Sequence, residues 1–141
     1  MIKRRSYNMD ILEKLNGSLD YIEENLMYSI DFKEVERLVS CSAGYFKRMF
    51  SIITGITLTE YIRRRRLTLA AFELSNCDMR IYDIAFKCGY RSPDSFTRAF
   101  QDYHGVTPTE ARNYGHRLKF YSRMTFHLSE YDEDVYLDQR D

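Results

Sequence analysis

Two stretches of the chain, Ser42 to Gly55 and Ser92 to Gly105, follow one plan: a serine, an aromatic residue, an arginine, Phe50 or Phe100, and a closing glycine. A serine ahead of an apolar 3.6-residue period is an N-cap, and a glycine after it adopts the left-handed conformation that ends a helix. Each stretch therefore predicts one capped helix. Tyr45, Phe46, Met49, Phe50 and Ile53 form the apolar face of the first. In the second, Pro93 follows the cap at the first helical position, where a missing N–H is tolerated. The repeat is degenerate, and it makes the chain predominantly helical.

A shorter helix precedes each copy. Ser29-Ile30-Asp31 offers a cap for Phe32, Val35 and Leu38, a helix expected to stop near Ser40; Ile81, Ile84 and Ala85 form its counterpart, which turns at Cys88-Gly89-Tyr90. Upstream, Ile11, Leu12, Leu15, Leu19, Ile22 and Leu26 recur at three- and four-residue steps, predicting a first helix from Met9 to Leu26. Between the copies, Thr57 with Glu60 makes a capping box for a long helix that buries Leu58, Tyr61, Ile62, Leu69, Ala70 and Leu74 and breaks at Ser75-Asn76-Cys77-Asp78. Thr107-Pro108-Thr109-Glu110 starts a last short helix that fades by Gly115.

The period then changes. Leu118, Phe120, Met124, Phe126 and Leu128 oppose Arg117, Lys119, Arg123 and His127, which predicts a β-strand over 118–128. A lone strand cannot bury its face, so it needs a partner: a following domain, another copy of the chain, or the acidic segment Glu130 to Asp138 folded back as a hairpin.

With 141 residues, 44% hydrophobic and 30% charged, the chain suits one globular domain or two small helical subdomains. No stretch reaches the ~18 apolar residues of a membrane span and no signal-peptide pattern opens the chain, so a cytoplasmic protein is expected. Cys41, Cys77 and Cys88 lack C-x-x-C spacing and a histidine pair, and read as buried free thiols. His104, His116 and His127 stand apart from any catalytic spacing and read as surface or half-buried side chains. Neither an enzyme nor a cofactor is expected. The 12 tyrosines keep helical spacing, which places Tyr45, Tyr61, Tyr90 and Tyr103 in or beside the core rather than on a base-stacking platform. Formal charge sums to zero, but residues 1–115 carry 17 Lys+Arg against 15 Asp+Glu while residues 116–141 carry 4 against 6. Phosphate attraction supplies most non-specific DNA affinity, so a DNA-binding reading must rest on where the cations sit.

Ile81-Tyr82-Asp83-Ile84-Ala85-Phe86-Lys87-Cys88-Gly89-Tyr90-Arg91-Ser92, then Ser95-Phe96-Thr97-Arg98-Ala99-Phe100 and Gly105-Val106-Thr107-Pro108, closely resembles the signature of the AraC/XylS family of transcriptional regulators. The resemblance covers about Met9 to Arg112 and includes Glu60-Tyr61-Ile62 and Arg66-Leu67. It implies an all-α fold: a seven-helix domain with two helix-turn-helix subdomains joined by a long helix, followed by a short strand-like tail. The expected bounds are a flexible arm over 1–8, a DNA-binding domain over 9–115 (first subdomain 9–56, linker helix 57–76, second subdomain 77–115) and a tail over 116–141. A helix of ~20 residues is ~30 Å long, near the ~34 Å between major-groove faces on one side of duplex DNA.

In the second unit, Ala85 and Gly89 are small where helices cross or the backbone turns, and Ile84, Phe96 and Phe100 fill the core. Pro93, Asp94, Ser95, Thr97 and Arg98 lie where this motif presents side chains to bases, and the resemblance carries base contact to Asp94, Ser95 and Arg98. Arg98 also suits a core-edge ion pair or a phosphate contact. Asp94 either accepts from a cytosine amino group or favours the helix N-terminus; Pro93 either touches a thymine methyl or starts the helix. In the first unit Ser42, Ala43, Gly44, Lys47 and Arg48 take these places, with Lys47 and Arg48 able to reach guanine acceptors or phosphates. Glu36, where the family has a small residue, Ser40, where it has the turn glycine, and the gap at Gly44 predict less base specificity here.

Arg63-Arg64-Arg65-Arg66 points in four directions on a helix, so it is not one DNA-facing patch. Arg66 resembles the family's structural arginine; the others read as a solvated face or phosphate ligands, and Lys3-Arg4-Arg5 as a solvated arm. The expected function is sequence-specific binding of double-stranded DNA that positions RNA polymerase. The alternatives are a helical protein-interaction module, and a DNA-binding fragment of a ligand-sensing regulator whose sensor domain starts with the tail. A homodimer through the tail is the further partner expected.

Overall fold

In the computed structural model, which describes residues 2–114, 118–128 and 135–139, seven α-helices are followed by a two-stranded antiparallel hairpin. The helices are α1 (Ile2–Glu24), α2 (Phe32–Val39), α3 (Ala43–Thr54), α4 (Leu58–Asn76), α5 (Ile81–Lys87), α6 (Pro93–His104) and α7 (Pro108–Tyr114); the strands are β1 (Met124–Leu128) and β2 (Val135–Gln139). The all-α architecture read from the caps and periods is the one observed. α1 starts at Ile2, where a flexible arm over 1–8 was expected, because Lys, Arg and Met sustain a helix and nothing breaks it before Met9. The side chains of Lys3, Arg4 and Arg5, and His116 entirely, lie outside the described residues.

The chain forms two compact units. The first comprises Met1–Asn25, Ile30–Tyr61 and Ser122–Asp141; the second comprises Leu26–Ser29 and Ile62–Tyr121. Helix α4 begins in the first and continues in the second.

In the first unit α1 buries Leu15, Leu19 and Ile22, α2 buries Val35 and Val39, and α3 buries Phe46 and Phe50. Leu58 and Tyr61 from the start of α4 join them. The core is completed from the far end of the chain. β1 pairs with β2 with Met124 opposite Gln139 and Leu128 opposite Val135, and its Met124 and Phe126 are buried. Phe126 meets Phe50 edge-on at 6.3 Å between ring centroids, and the Met124 N–H donates to the Tyr61 hydroxyl at 3.0 Å. Of the three partners open to the tail strand, the structure uses the hairpin.

The strand is shorter than the alternation suggested. Residues 118–123 are not in a strand and Phe120 is exposed, because two backbone donors there bond to side chains instead of a ladder: Lys119 N–H to His104 Nδ1 at 3.1 Å and Tyr121 N–H to Thr68 Oγ1 at 3.1 Å.

In the second unit Leu67, Ala70 and Leu74 of α4 pack with Ile84, Ala85 and Cys88, with Phe96 and Phe100 of α6, and with Ala111 of α7. Burial pushes the Cys88 thiol up to about 12, which keeps it protonated and unreactive. Cys41 and Cys77 are only half-buried, short of the buried thiols expected. Arg112 donates to Leu74 O at 3.1 Å and Cys77 O at 3.3 Å, satisfying carbonyls at the end of α4.

The arginine run is built into this unit. Arg66 Nε donates to Leu26 O at 2.8 Å, the Arg65 guanidinium donates to Tyr121 O, and Arg64 lies 5.2 Å over the Tyr121 ring. The Arg63 guanidinium bonds Tyr90 and opposes the rise that burial imposes on that phenol. Arg63, Arg64 and Arg66 are half-buried and Arg65 is buried, so a solvated face does not describe them. His104 likewise departs from a surface histidine: it is 7% exposed, its ring 4.4 Å from that of Phe100, and its Nε2 bonds Leu67 O at 2.9 Å.

Candidate nucleic-acid interface

Helices α3 and α6 are built alike, fifty positions apart. Ser42 accepts from the Tyr45 N–H and Ser92 from the Ser95 N–H, both at 3.2 Å. Gly55 and Gly105 close the helices at φ 79° and φ 82°. Phe46 and Phe50 are buried on one face of α3, as Phe96 and Phe100 are on α6. With this common phase, the opposite face of α3 exposes Gly44, Arg48 and Ile52, and that of α6 exposes Asp94, Arg98 and Asp102.

The turns entering the two helices differ as the sequence suggested. Before α6, Gly89 adopts φ 83°, and a Cβ there would lie 3.3 Å from Arg66 Nη1. Before α3, Ser40 is forced into the same left-handed region at φ 57°. Glu36, unusual on α2, has a specific role: its Oε2 accepts from the Ala43 N–H at 2.9 Å, so a carboxylate holds the first turn of α3 and complements its dipole.

The candidate contact residues fall into two sets. Ser42 and Ser95 are engaged in the caps: the Ser95 hydroxyl donates to Ser92 O at 2.9 Å and accepts from the Ser92 hydroxyl at 3.1 Å. Ala43 and Thr97 are half-buried at the edges of the two faces. Gly44, Lys47, Arg48, Pro93, Asp94 and Arg98 are exposed. Lys47 places its ammonium 4.4 Å over the Phe32 ring, which anchors the stem and leaves the charge at the surface. Among the described residues, Arg48, Arg98 and Asp94 enter no side-chain hydrogen bond or ion pair, so the core-edge ion pair open to Arg98 is not formed within this set. Asp94 lies in the first turn of α6, but Ser92 supplies the cap, leaving the carboxylate only a through-space effect on the helix dipole.

Sequence reasoning missed two members of each face. Gln101 and Asp102 on α6, with Ser51 and Ile52 on α3, lie a turn beyond Arg98 and Arg48; Ile52 is 83% exposed. The signal was the fifty-residue offset itself, which fixes the phase of both helices to their ends. Of the tyrosines placed at the core, Tyr45 is exposed because it lies on the flank of α3 away from Phe46.

Residues 36–114 match the family described as "Helix-turn-helix domain". The chain is 39% identical over 100 residues to the regulatory protein SoxS of Salmonella typhimurium, covering 71% of this chain and 91% of that one. It is 32% identical over 107 residues to the HTH-type transcriptional activator AarP of Providencia stuartii, covering 76% and 77%. Its fold is similar to the DNA-binding domain of the global transcriptional factor AdpA, solved in complex with a target DNA, with a TM-score of 0.62 at 24% identity over 71% of this chain and 90% of that one. The chain belongs to the AraC/XylS family of helix-turn-helix transcriptional regulators, and it is a sequence-specific DNA-binding protein.

Proposed function

We propose that α3 and α6 are both recognition helices, each laid in a major-groove segment of the same duplex, with Arg48 and Arg98 directed at DNA. What carries this reading is the pair of equivalent helices whose faces opposite the buried phenylalanines expose Arg48 and Arg98, neither of them held by a described residue. Residues 9–56 and 77–115 are then the two reading subdomains, 57–76 the joining helix and 116–141 the tail. Lys47 and Arg48 supply phosphate or guanine contacts, with Gly44 leaving room for close backbone approach. On α6 Arg98 supplies the equivalent contact, Asp94 accepts from a cytosine amino group, and Pro93 and Thr97 offer apolar contact to a thymine methyl, while Ser42, Ala43 and Ser95 set the helix starts. The protein acts by binding, without chemistry on the DNA, in the cytoplasm. The likeness to AarP, a transcriptional activator, supports activation, and a contact with RNA polymerase is part of the same proposal. Self-association through the tail has less support, because β1 already pairs with β2.

Selection of bound sequences from a random duplex pool tests the reading. Two specified blocks are expected, with Arg48→Ala relaxing a position in one and Arg98→Ala a position in the other; a single block would leave one helix disengaged. With ~3 to 4 phosphate contacts per unit, the log–log salt slope should lie near −6, and a flat response would overturn DNA binding through these faces.

A further inference from the structure

We propose that Gln101 is a specificity-determining residue: its amide reads a base pair beyond the one met by Arg98, so that the second unit specifies one more position than the first. The inference deepens the reading of α6 as a recognition helix and rests on it. Phe96, Phe100 and His104 mark the buried side of α6. At 100° per residue, Asp94, Arg98 and Gln101 follow one another at steps of four and three, forming one exposed stripe along the flank of the face opposite that side. From Arg98 to Gln101 the helix rises about 4.5 Å, close to the ~3.4 Å between successive base pairs. Among the described residues the Gln101 side chain bonds to nothing, while its backbone carbonyl accepts the Gly105 N–H that closes the helix. The amide is therefore free on a rigid, capped backbone. A primary amide presents a donor and an acceptor side by side, the pattern that matches N6 and N7 of adenine in the major groove.

The equivalent position in the first unit lacks this capacity. Ser51 lies at the same phase of α3, and its hydroxyl donates to Lys47 O at 3.1 Å, turned back onto its own helix. Its neighbour Ile52 has no hydrogen-bonding group. The extra reader belongs to α6 alone.

The test compares selected duplex pools for the wild-type chain and for Gln101→Ala, Gln101→Lys and Arg98→Ala. Gln101→Ala should abolish the preference at one base pair, next to the pair whose preference Arg98→Ala removes, with a 5- to 100-fold loss on the best site and all other positions intact. Gln101→Lys should replace adenine by guanine at that position. An unchanged sequence preference in both Gln101 variants, or a uniform weakening on all sequences, overturns the assignment. If Arg98→Ala also leaves every position unchanged, the reading of α6 has failed rather than the role of Gln101 alone. Circular dichroism of each variant, expected to match wild type because Gln101 is exposed, separates lost reading from lost folding.

Discussion

Asn16 brackets the backbone of Phe126: its Nδ2 donates to Phe126 O at 2.9 Å, and its Oδ1 accepts from Phe126 N–H at 2.8 Å. One amide on the first helix thus replaces the ladder partner that the outer edge of β1 lacks, and it sets the depth at which Phe126 meets Phe50. Asn16→Leu would leave both backbone groups of Phe126 unpaired in a half-buried place. The expected loss is about 1–3 kcal/mol, read as a lower urea midpoint, and an unchanged midpoint would contradict it. Removal of residues 122–141 should go further, stripping Met124 and Phe126 from the first unit and abolishing slow amide exchange in α1 to α3.

His104 predicts a pH dependence of stability. Burial lowers its pKa below the ordinary 6.5, Leu67 O opposes that by hydrogen bonding, and Lys119 reinforces it. Nδ1 accepts from the Lys119 N–H, so the neutral ring carries its proton on Nε2 and donates to Leu67 O. With the folded pKa below the unfolded one, the unfolded chain binds the extra proton first. The stabilisation is complete above about pH 6.5 and declines as pH falls from there through the folded value. The melting temperature should drop between pH 7 and pH 5 more in wild type than in His104→Gln. Parallel curves for the two proteins would contradict this.

Ser40 and Gly89 predict opposite responses to exchange at equivalent turns. Ser40→Gly relieves a left-handed serine at φ 57° and should raise stability by about 0.5–1 kcal/mol. Gly89→Ala places a methyl in a left-handed site 3.3 Å from Arg66 Nη1 and should lower it by about 1–2 kcal/mol. Thermal melts of both variants check the pair, and a shift of the same sign in both would show that the turns are not equivalent.

Lys47 and Arg48 separate by role. Arg48→Ala should weaken binding to all duplexes if it meets phosphate, reducing the magnitude of the log–log salt slope by about 1, and should relax one position if it meets a base. Lys47→Ala should also remove the stacking on Phe32, lowering the melting temperature of the free protein slightly, whereas Arg48→Ala should leave it unchanged. Titrations at several salt concentrations decide between these outcomes.

Most of the helical framework was legible in the sequence because its signals are local. Ser42, Asp31 and Ser92 cap within three residues of themselves, and Phe46, Phe50, Phe96 and Phe100 repeat at the helical step. The reading faces followed from the same periodicity, though only their first turns were named, so Gln101 and Ile52 were passed over. Arg66 was read as structural and is, whereas Arg63, Arg64 and Arg65 were misread as a solvated face because local spacing says which way a side chain leaves the helix and nothing about which group waits there: Tyr121 O for Arg65 comes from a distant segment.

By itself the sequence determined the helices, their caps, the internal repeat and the family, since each depends on residues within a few turns of one another. The tertiary structure alone decided that the tail folds back as a hairpin into the first unit, that His104 is buried, and that residues 118–121 do not form a strand. The physical reason is shared. A buried polar group or strand edge takes whichever partner the packed chain brings within hydrogen-bond distance, and Asn16 with Phe126, like His104 with Lys119, are partners that no period along the sequence encodes.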